Sequence, residues 1–433
     1  MSDVIHTKTV RRTDVQAIED IEADICILGA GISGLTAALE AAKLGRTVVL
    51  VDGAPAIGGQ AIGSQVGTLI GLYTHGPDAY QITYGIAEDL VNELKEEGSF
   101  LTRNSARTGT ITFQYDEIRM GRWFEQKLED AGVKILLGAT LSHVEFKDKR
   151  VQHIDLITRY GAVKVKANGY VDASGDASLC WEAGLDLREP TAPIYGTMNF
   201  LIEGYDTDVV DQLDINEVHA RLVTAGHKYG VRRHDGFLMH FSGKGFMLAN
   251  IGHFETPMDP MAAADMVLEG RRQADKVLRF LQGEFSNIFK GSQIRAYGNP
   301  GLRQTRWIVG EHQLTLDEIK EGARPEDAVA RCAWWVELHD TEELVHWEEF
   351  PYGHVYYIPL SCMLPKGVDN IVAAGRCVDG DSHALSAIRV MGPCMSMGMA
   401  AAHALDMAGS GKVSDINIKE LQERLCDNLD RKE

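Results

Sequence analysis

Cysteine is sparse in this chain, long apolar runs are missing, and positive charge is outnumbered. The seven cysteines, Cys26, Cys180, Cys332, Cys362, Cys377, Cys394 and Cys426, are odd in number and never fall in C-x-x-C spacing. That pattern disfavours a disulfide framework and a structural zinc, so no metal is expected. The cysteines read instead as small buried apolar residues of a reducing compartment. No run of about 18 apolar residues is present to cross a bilayer. The first twenty residues carry charges throughout and lack the apolar core of a signal peptide, which makes the cytoplasm the expected location. Lys and Arg number 43 against 62 Asp and Glu, a formal net charge of -19. A balance of that sign opposes non-specific binding to nucleic acid or anionic membrane. The expected partner is a small-molecule substrate, with a homo-oligomer left open. There is no internal repeat and no low-complexity tract.

An apolar share of 45% over 433 residues describes a globular protein of two domains, or of one domain with a large insertion. The chain is organised around Asp24–Asp52. The apolar run Ile25–Leu28 reads as a buried strand that stops at Gly29-Ala30-Gly31-Ile32-Ser33-Gly34. In this G-x-G-x-x-G turn the first glycine permits the bend, the second lets backbone approach a pyrophosphate, and the third lets helix pack on strand. The helix expected from Ile32 to about Leu44 presents its N-terminus to the phosphate, Ser33 included. A second strand, Thr47–Val51, leads to Asp52, placed to accept hydrogen bonds from ribose hydroxyls.

Further along, Met1–Glu22 reads as a polar arm, and Gly58-Gly59-Gln60 as a turn folding back toward the nucleotide. Helices are expected over Pro77–Glu97 and Tyr115–Asp130, each closed by glycine. Short strands follow at Lys134–Leu137, Val144–Phe146, Val151–Ile157 and Ala162–Val165, with a hairpin turn at Gly161. A separate strand from Gly169 breaks into a second glycine turn at Ser174-Gly175-Asp176. The stretch from about Pro190 to Arg295 carries no phosphate-type turn and is the candidate substrate domain, with strands at Met198–Ile202 and Gly245–Ile251 and a helix over Pro260–Gln282. Arg303 and Arg306 read as an anion clamp or as solvated arginines. Pro325–Val336 reads as a helix delivering His339-Asp340, and Pro351–Pro359 as an extended segment with Tyr352, His354, Tyr356 and Ile358 on one face. Asp369–Arg376 is a strand ending in a third turn, Gly375-Arg376. A loop then enters one long buried helix, Ala387–Met407.

With these three turns in place, the chain resembles FAD-dependent oxidoreductases of the glutathione-reductase-like type. The nearest likeness is to FAD-binding oxidoreductases related to thiazole synthases and to the flavoproteins of tRNA wobble-uridine modification. The family's D-A-T-G-D appears as Asp172-Ala173-Ser174-Gly175-Asp176, its G-x-R-E-T-R as Gly301-Leu302-Arg303-Gln304-Thr305-Arg306, and its I-P…L-x-P-K…A-G-R as Ile358 through Arg376. Its histidine loop and S-I-R are matched by His383 and by Ala387-Ile388-Arg389. Gln304 stands where an acid is usual and Ser361 where an arginine is frequent, which implies a rebuilt substrate clamp.

The resemblance implies an α/β fold: a Rossmann-like FAD-binding domain (23–189 and 301–433, after an arm of 1–22) with an inserted α+β substrate domain (190–300). FAD lies extended in such proteins, contacted here by Gly29, Gly31, Ser33, Gly34, Asp52, Gly58, Gly59, Gln60, Ser174, Gly175, Asp176, Gly375 and Arg376. The helix start at Ala387, Ile388 and Arg389 is expected at the flavin. The implied reaction passes a hydride from a small polar substrate to flavin N5 while a base takes a proton. His383 is the first candidate base and His354 the second, with Tyr356 and Tyr357 as donors beside it and Arg303, Arg306 and Arg389 as anion contacts. The competing readings are a fumarate-reductase-like reductase of activated alkenes and a flavoprotein subunit of a modifying complex.

Overall fold

A computed structural model of the chain describes residues 7–9, 11, 20–105, 108–241 and 243–432. The polar arm lies mostly outside these residues, and its last two join the first strand, β1 (Ile21–Leu28), because Ile21 and Glu22 already pair with Val165 and Lys166. Helix α1 (Ile32–Lys43) and β2 (Val48–Asp52) complete the expected unit, with β1 and β2 parallel. A short α2 (Gly59–Gly63) and β3 (Thr68–Leu69) follow. Helix α3 (Ile86–Glu96) is shorter than Pro77–Glu97, because Gly85 at φ +71° breaks the chain before it and Tyr73 bridges to Gln81.

A hairpin of β4 (Phe100–Asn104) and β5 (Ile111–Tyr115) comes next, so Tyr115 belongs to a strand. Helix α4 (Glu117–Asp130) starts after it, where the Asp116 carboxylate accepts from the amides of Ile118 and Arg119 and supplies the N-cap. Then β6 (Lys134–Leu137), β7 (Thr140–Lys147), β8 (Arg150–Thr158) and β9 (Gly161–Asp172) follow. The two strands expected at Ala162–Val165 and from Gly169 are one: β9 runs unbroken because β8 pairs with Gly161 to Val165 and β1 with Val165 to Asp172. Its other edge takes β8 antiparallel near its start and β20 (Ile371–Ala373) parallel near its end. The sheet order is β6-β2-β1-β9-β8-β7, with β20 beside β9.

After α5 (Ser178–Glu182) and β10 (Leu187–Arg188) the chain forms a second sheet. It consists of β11 (Thr197–Glu203), β12 (Phe237–Phe241), β13 (Phe246–Asn250) and β14 (Gln293–Gly301), antiparallel in the order β12-β13-β11-β14. Helices α6 (Ile215–Tyr229) and α7 (Pro260–Glu284) join Phe200, Ile202 and Ala249 in a core of their own through Val218, Leu222, Val277, Phe280 and Leu281.

The segment Pro325–Val336 is not helical. It forms β16 (Ala328–Cys332) and enters β17 (Val336–Leu338), which pair with β19 (Tyr356–Pro359) and β18 (His346–Glu348). Burial decides this: Ala328 to Leu338 is buried almost throughout, even at Arg331, which donates to the carbonyls of Asp427, Asn428 and Arg431. Only the end of Pro351–Pro359 is a strand, and Tyr352 is exposed where Tyr356 and Ile358 are buried. The long helix expected from Ala387 is two, α10 (Ser382–Ile388) and α11 (Met391–Ala408), separated at the extended Val390. Helix α11 packs on α1 so closely that a Cβ on Gly398 would meet the Ser33 carbonyl. The expected α/β, Rossmann-like fold is the one the chain forms. Among the described residues no helix is long and apolar enough to cross a membrane.

Candidate functional site

A cavity of about 1330 Å³ runs between the two sheets, from Gly29, Gly31 and Asp52 at one end to Arg303, Glu337 and His339 at the other. At the first end β1 stops in Gly29 at φ +104°, and a Cβ there would strike the Ala173 carbonyl. A Cβ on Gly34 would strike the Gly29 carbonyl. Gly31 differs: a Cβ added to it would meet no protein atom within 4 Å, and the residue lines the cavity. Two glycines therefore close-pack the turn, while the middle one keeps backbone bare toward a ligand. Ile32 and Ser33, which open α1, line the same wall and bring the helix N-terminus to it.

Asp52 closes this end. One carboxylate oxygen accepts from the Ala30 amide at 2.6 Å and the other from the Ala54 amide at 2.7 Å, which leaves lone pairs toward the cavity. Gly58 donates to the Ala30 carbonyl, and Gly59 brings its backbone against Gly31. Gly59 and Gln60 line the cavity, as do Ser174, Gly175, Gly375 and Arg376 of the other two turns. Asp172 holds the second turn in place, accepting from Ser174 and from the Leu179 and Cys180 amides. Burial pushes its carboxyl above the usual range despite those bonds.

The far end gathers charged and polar side chains. Arg303, just after β14, donates to the Tyr195 carbonyl at 2.6 Å and to Thr197 Oγ1 at 3.0 Å. Arg233, 4% exposed, reaches the same hydroxyl at 3.4 Å, bonds Asn250 at 3.0 Å and pairs with Asp235 at 2.5 Å. Arg389, between α10 and α11, donates to the Glu337 carbonyl at 3.1 Å, and its Nε has no partner among the described residues. Glu337 stands on β17, its Oε1 3.1 Å from His339 Nε2 and its Oε2 accepting from the Trp334 indole at 3.2 Å. His339 Nδ1 lies 2.9 Å from His253 Nε2, and His253 Nδ1 lies 3.1 Å from the Glu342 carbonyl. Both imidazoles are almost fully buried, at 1% and 4% exposure. Burial first, then the neighbouring arginines, hold them well below the ordinary imidazole range.

Several residues singled out from the sequence are placed elsewhere. His354 donates from Nε2 to the Ile319 carbonyl, 2.7 Å away, and packs at a tilt against Phe350. Tyr357 lies under the Arg324 guanidinium, and Arg306 lies over the Trp181 ring at 4.3 Å. His383 is in the first turn of α10, its amide donating to Asp381. None of these four lines the cavity, and neither do Gly34, Gly58, Asp176, Ala387 or Ile388. Ala387 and Ile388 are buried at the end of α10, and the helix that reaches the cavity is α11, through Val390, Met391 and Cys394. Asp176 accepts from Thr305 at 2.6 Å, at the edge of the second turn. Gln304, the departure from the family's acid, donates to the Ser382 carbonyl and Ser386 hydroxyl and so pins α10. An acid could not donate there. Glu337, His253, Arg233 and Asn250 were not foreseen; their one sequence signal is the spacing of Glu337 and His339, two apart and so on one face of an extended chain.

The family model described as FAD dependent oxidoreductase matches residues 24–425. Among curated proteins none matches. Solved structures with the same arrangement include a geranylgeranyl bacteriochlorophyll reductase-like protein from Thermoplasma acidophilum, 13% identical, with a TM-score of 0.51 over 96% of this chain and 85% of that one. L-proline dehydrogenase from P. horikoshii is 14% identical with a TM-score of 0.44, over 89% of this chain and 94% of its own. THI4 of Thermovibrio ammonificans is 21% identical over 38% of this chain and 64% of its own, with a TM-score of 0.28. At such identities the first of these speaks for the fold alone.

Proposed function

The chain belongs to the FAD dependent oxidoreductase family, and from that premise we propose that it moves a hydride between a small polar substrate and FAD, with the substrate held at the Arg303, Glu337 and His339 end of the cavity. FAD is the cofactor, and when bound it supplies a two-electron carrier that accepts or gives hydride. The protein's part is to hold it and to manage charge and protons. Bare backbone at Gly31 and the N-terminus of α1 fit a pyrophosphate, and Asp52 keeps acceptor capacity for ribose hydroxyls. The second and third turns, facing the same cavity, support the glutathione-reductase-like subtype. We assign 23–189 and 301–433 to cofactor binding and 190–300 to the substrate.

One observation carries this reading: a single cavity is lined both by the Gly31 turn and by the half-buried Glu337 with the buried His339. The pair exchanges the proton that accompanies hydride transfer; it lines the cavity, where His383 and His354 do not. Arg303 and Arg389 orient the substrate. Purified protein should carry FAD and lose its yellow absorbance under anaerobic exposure to the right member of a panel of hydroxy acids, amino acids, sugars and cyclic amines. Glu337→Gln should keep its FAD while flavin reduction slows by roughly 10²- to 10⁴-fold, the usual reach of a general acid–base group. A wild-type rate in that variant would remove Glu337 from the chemistry.

A further inference from the structure

The contacts from the Glu342 carbonyl to Glu337 each need one proton, and counting them shows where charge is left over. A carbonyl accepts only, so His253 donates to it from Nδ1. His253 Nε2 is then a lone pair, and His339 donates to it from Nδ1. His339 Nε2 consequently faces Glu337 Oε1 as a second acceptor, and the 3.1 Å contact requires a third proton. Two neutral imidazoles bring two. The third either neutralises Glu337 or, on His339, balances it, so the Glu337–His339–His253 group has no net charge. In this loaded state the pair is a proton donor, and it accepts from a substrate only after losing its own proton.

This count leaves two guanidinium groups uncompensated. Arg389 has its one ion pair among the described residues with Glu337, at 4.0 Å, and that partner is already balanced. Arg303 has no ion pair among the described residues; both of its bonds go to neutral oxygens. Arg233 is matched by Asp235, so the two together add no net charge. Arg376, whose charge reaches Arg389, is matched by Asp176 at 3.4 Å, and Asn199, Asn250, Thr197 and Trp334 in the cavity lining are neutral. Burial first, and then the charge of Arg389 and Arg233, drive Arg303 well below the usual guanidinium range. Among the described residues, Arg303 spends two of its five N–H donors on the protein, and Arg389 has a buried Nε with no partner. Two unbalanced charges with spare donors on one cavity wall call for an anion.

Resting on the proposed function, we infer that this wall takes the carboxylate of an organic acid, seated on Arg303 and Arg389, as the recognition element of the substrate. The planar fork of a guanidinium matches two coplanar oxygens. The wall beside it, Trp334, Trp347 and Leu344, is aromatic and apolar and suits a carbon skeleton.

The test titrates oxidised holoenzyme with benzoate and malonate, with benzamide and malonamide as uncharged isosteres, and with inorganic phosphate. Flavin absorbance and the thermal midpoint report binding. The carboxylates should bind at least about tenfold more tightly than the amides, as expected for charge-assisted bonds. Arg303→Met should erase most of that preference while FAD content and benzamide affinity stay the same. Equal affinity for acid and amide would overturn the inference, as would phosphate outcompeting both acids. A shifted flavin midpoint potential in Arg303→Met with carboxylate affinity intact would assign the guanidinium to the cofactor and also overturn it. Should Arg303→Met lose FAD or fail to fold, Arg303→Lys and Arg389→Met decide: a tenfold preference retained in both sinks the proposal, and its loss in either upholds it. Flavin bleached by uncharged substrates without any carboxylate preference would leave the proposed function standing and remove this inference. Protein without FAD would remove the function, while the thermal shift with benzoate would still judge the anion site.

Discussion

Gly31 and Gly34 sit three residues apart and are glycine for different reasons, which separates their variants. A side chain at Gly34 collides with the Gly29 carbonyl, whereas one at Gly31 meets no protein atom within 4 Å. Gly31→Val should therefore fold with a near-normal circular dichroism melt and carry no FAD, while Gly34→Val should lose the fold itself. Stoichiometric FAD in purified Gly31→Val would mean that the pyrophosphate lies elsewhere. This contrast explains what the sequence disclosed. The glycine turns were legible because each demand is local: a φ, a close approach, a strand before and a helix after. The proposed acid–base group was not, because His253 and His339 are 86 positions apart and meet only in the fold. His354 stands in an alternating segment that looked like a site wall, yet its ring bonds the Ile319 carbonyl. A histidine near a motif reveals its neighbourhood in the chain and not the direction of its ring.

Among elements, the helices with clear caps and periodicity were legible, and the errors came where burial overrode local preference. Ala328–Cys332 follows a proline in a good first-turn position, but every residue of it is buried against β19 or the chain's end, which a one-sided surface helix does not allow. The break between α10 and α11 is tertiary too: a Cβ on Gly392 would run into the Gly71 backbone, and α11 starts where that contact permits. The other end of α11 is held by Asp406, which pairs with Arg46 at 2.5 Å and with Arg424 of α12 (Ile418–Arg424) at 2.6 Å. Burial raises its carboxyl pKa, but the bonds to Arg46 and Arg424 together outweigh that and hold it below the usual range. A depressed folded-state pKa stabilises above the unfolded value of about 3.9 and ceases to as pH falls through the folded one. Asp406→Asn should lower stability at pH 7 by about 1 to 3 kcal/mol, and the gap to wild type should narrow below pH 4. Urea melts at pH 7 and pH 3.5 measure it; a gap that widens in acid would refute the assignment.

At the scale of the molecule, the two sheets were anticipated and their shared cavity was not, since a cavity is a property of how surfaces face and no single segment encodes it. The central sheet also has a history in time. Strand β9 is bordered by β1 near residue 21 and by β20 near residue 371, and Gly398 of α11 packs on Ser33. The cofactor turn is thus made by the ribosome first and buttressed last. At roughly 5 to 20 residues per second, on the order of 20 to 70 s separates the emergence of Gly31 from that of Gly398. Through that interval half of one β9 edge has no partner and the α1 face that α11 will cover is exposed to other nascent chains. Chains halted at residue 370 should sediment with aggregates and bind no FAD, whereas the full chain stays in the supernatant; a soluble, yellow 1–370 product would show that the edge closes without its last strand. On that expectation, the protein's yield in a cell should follow how long the half-finished edge is shielded more closely than it follows final stability.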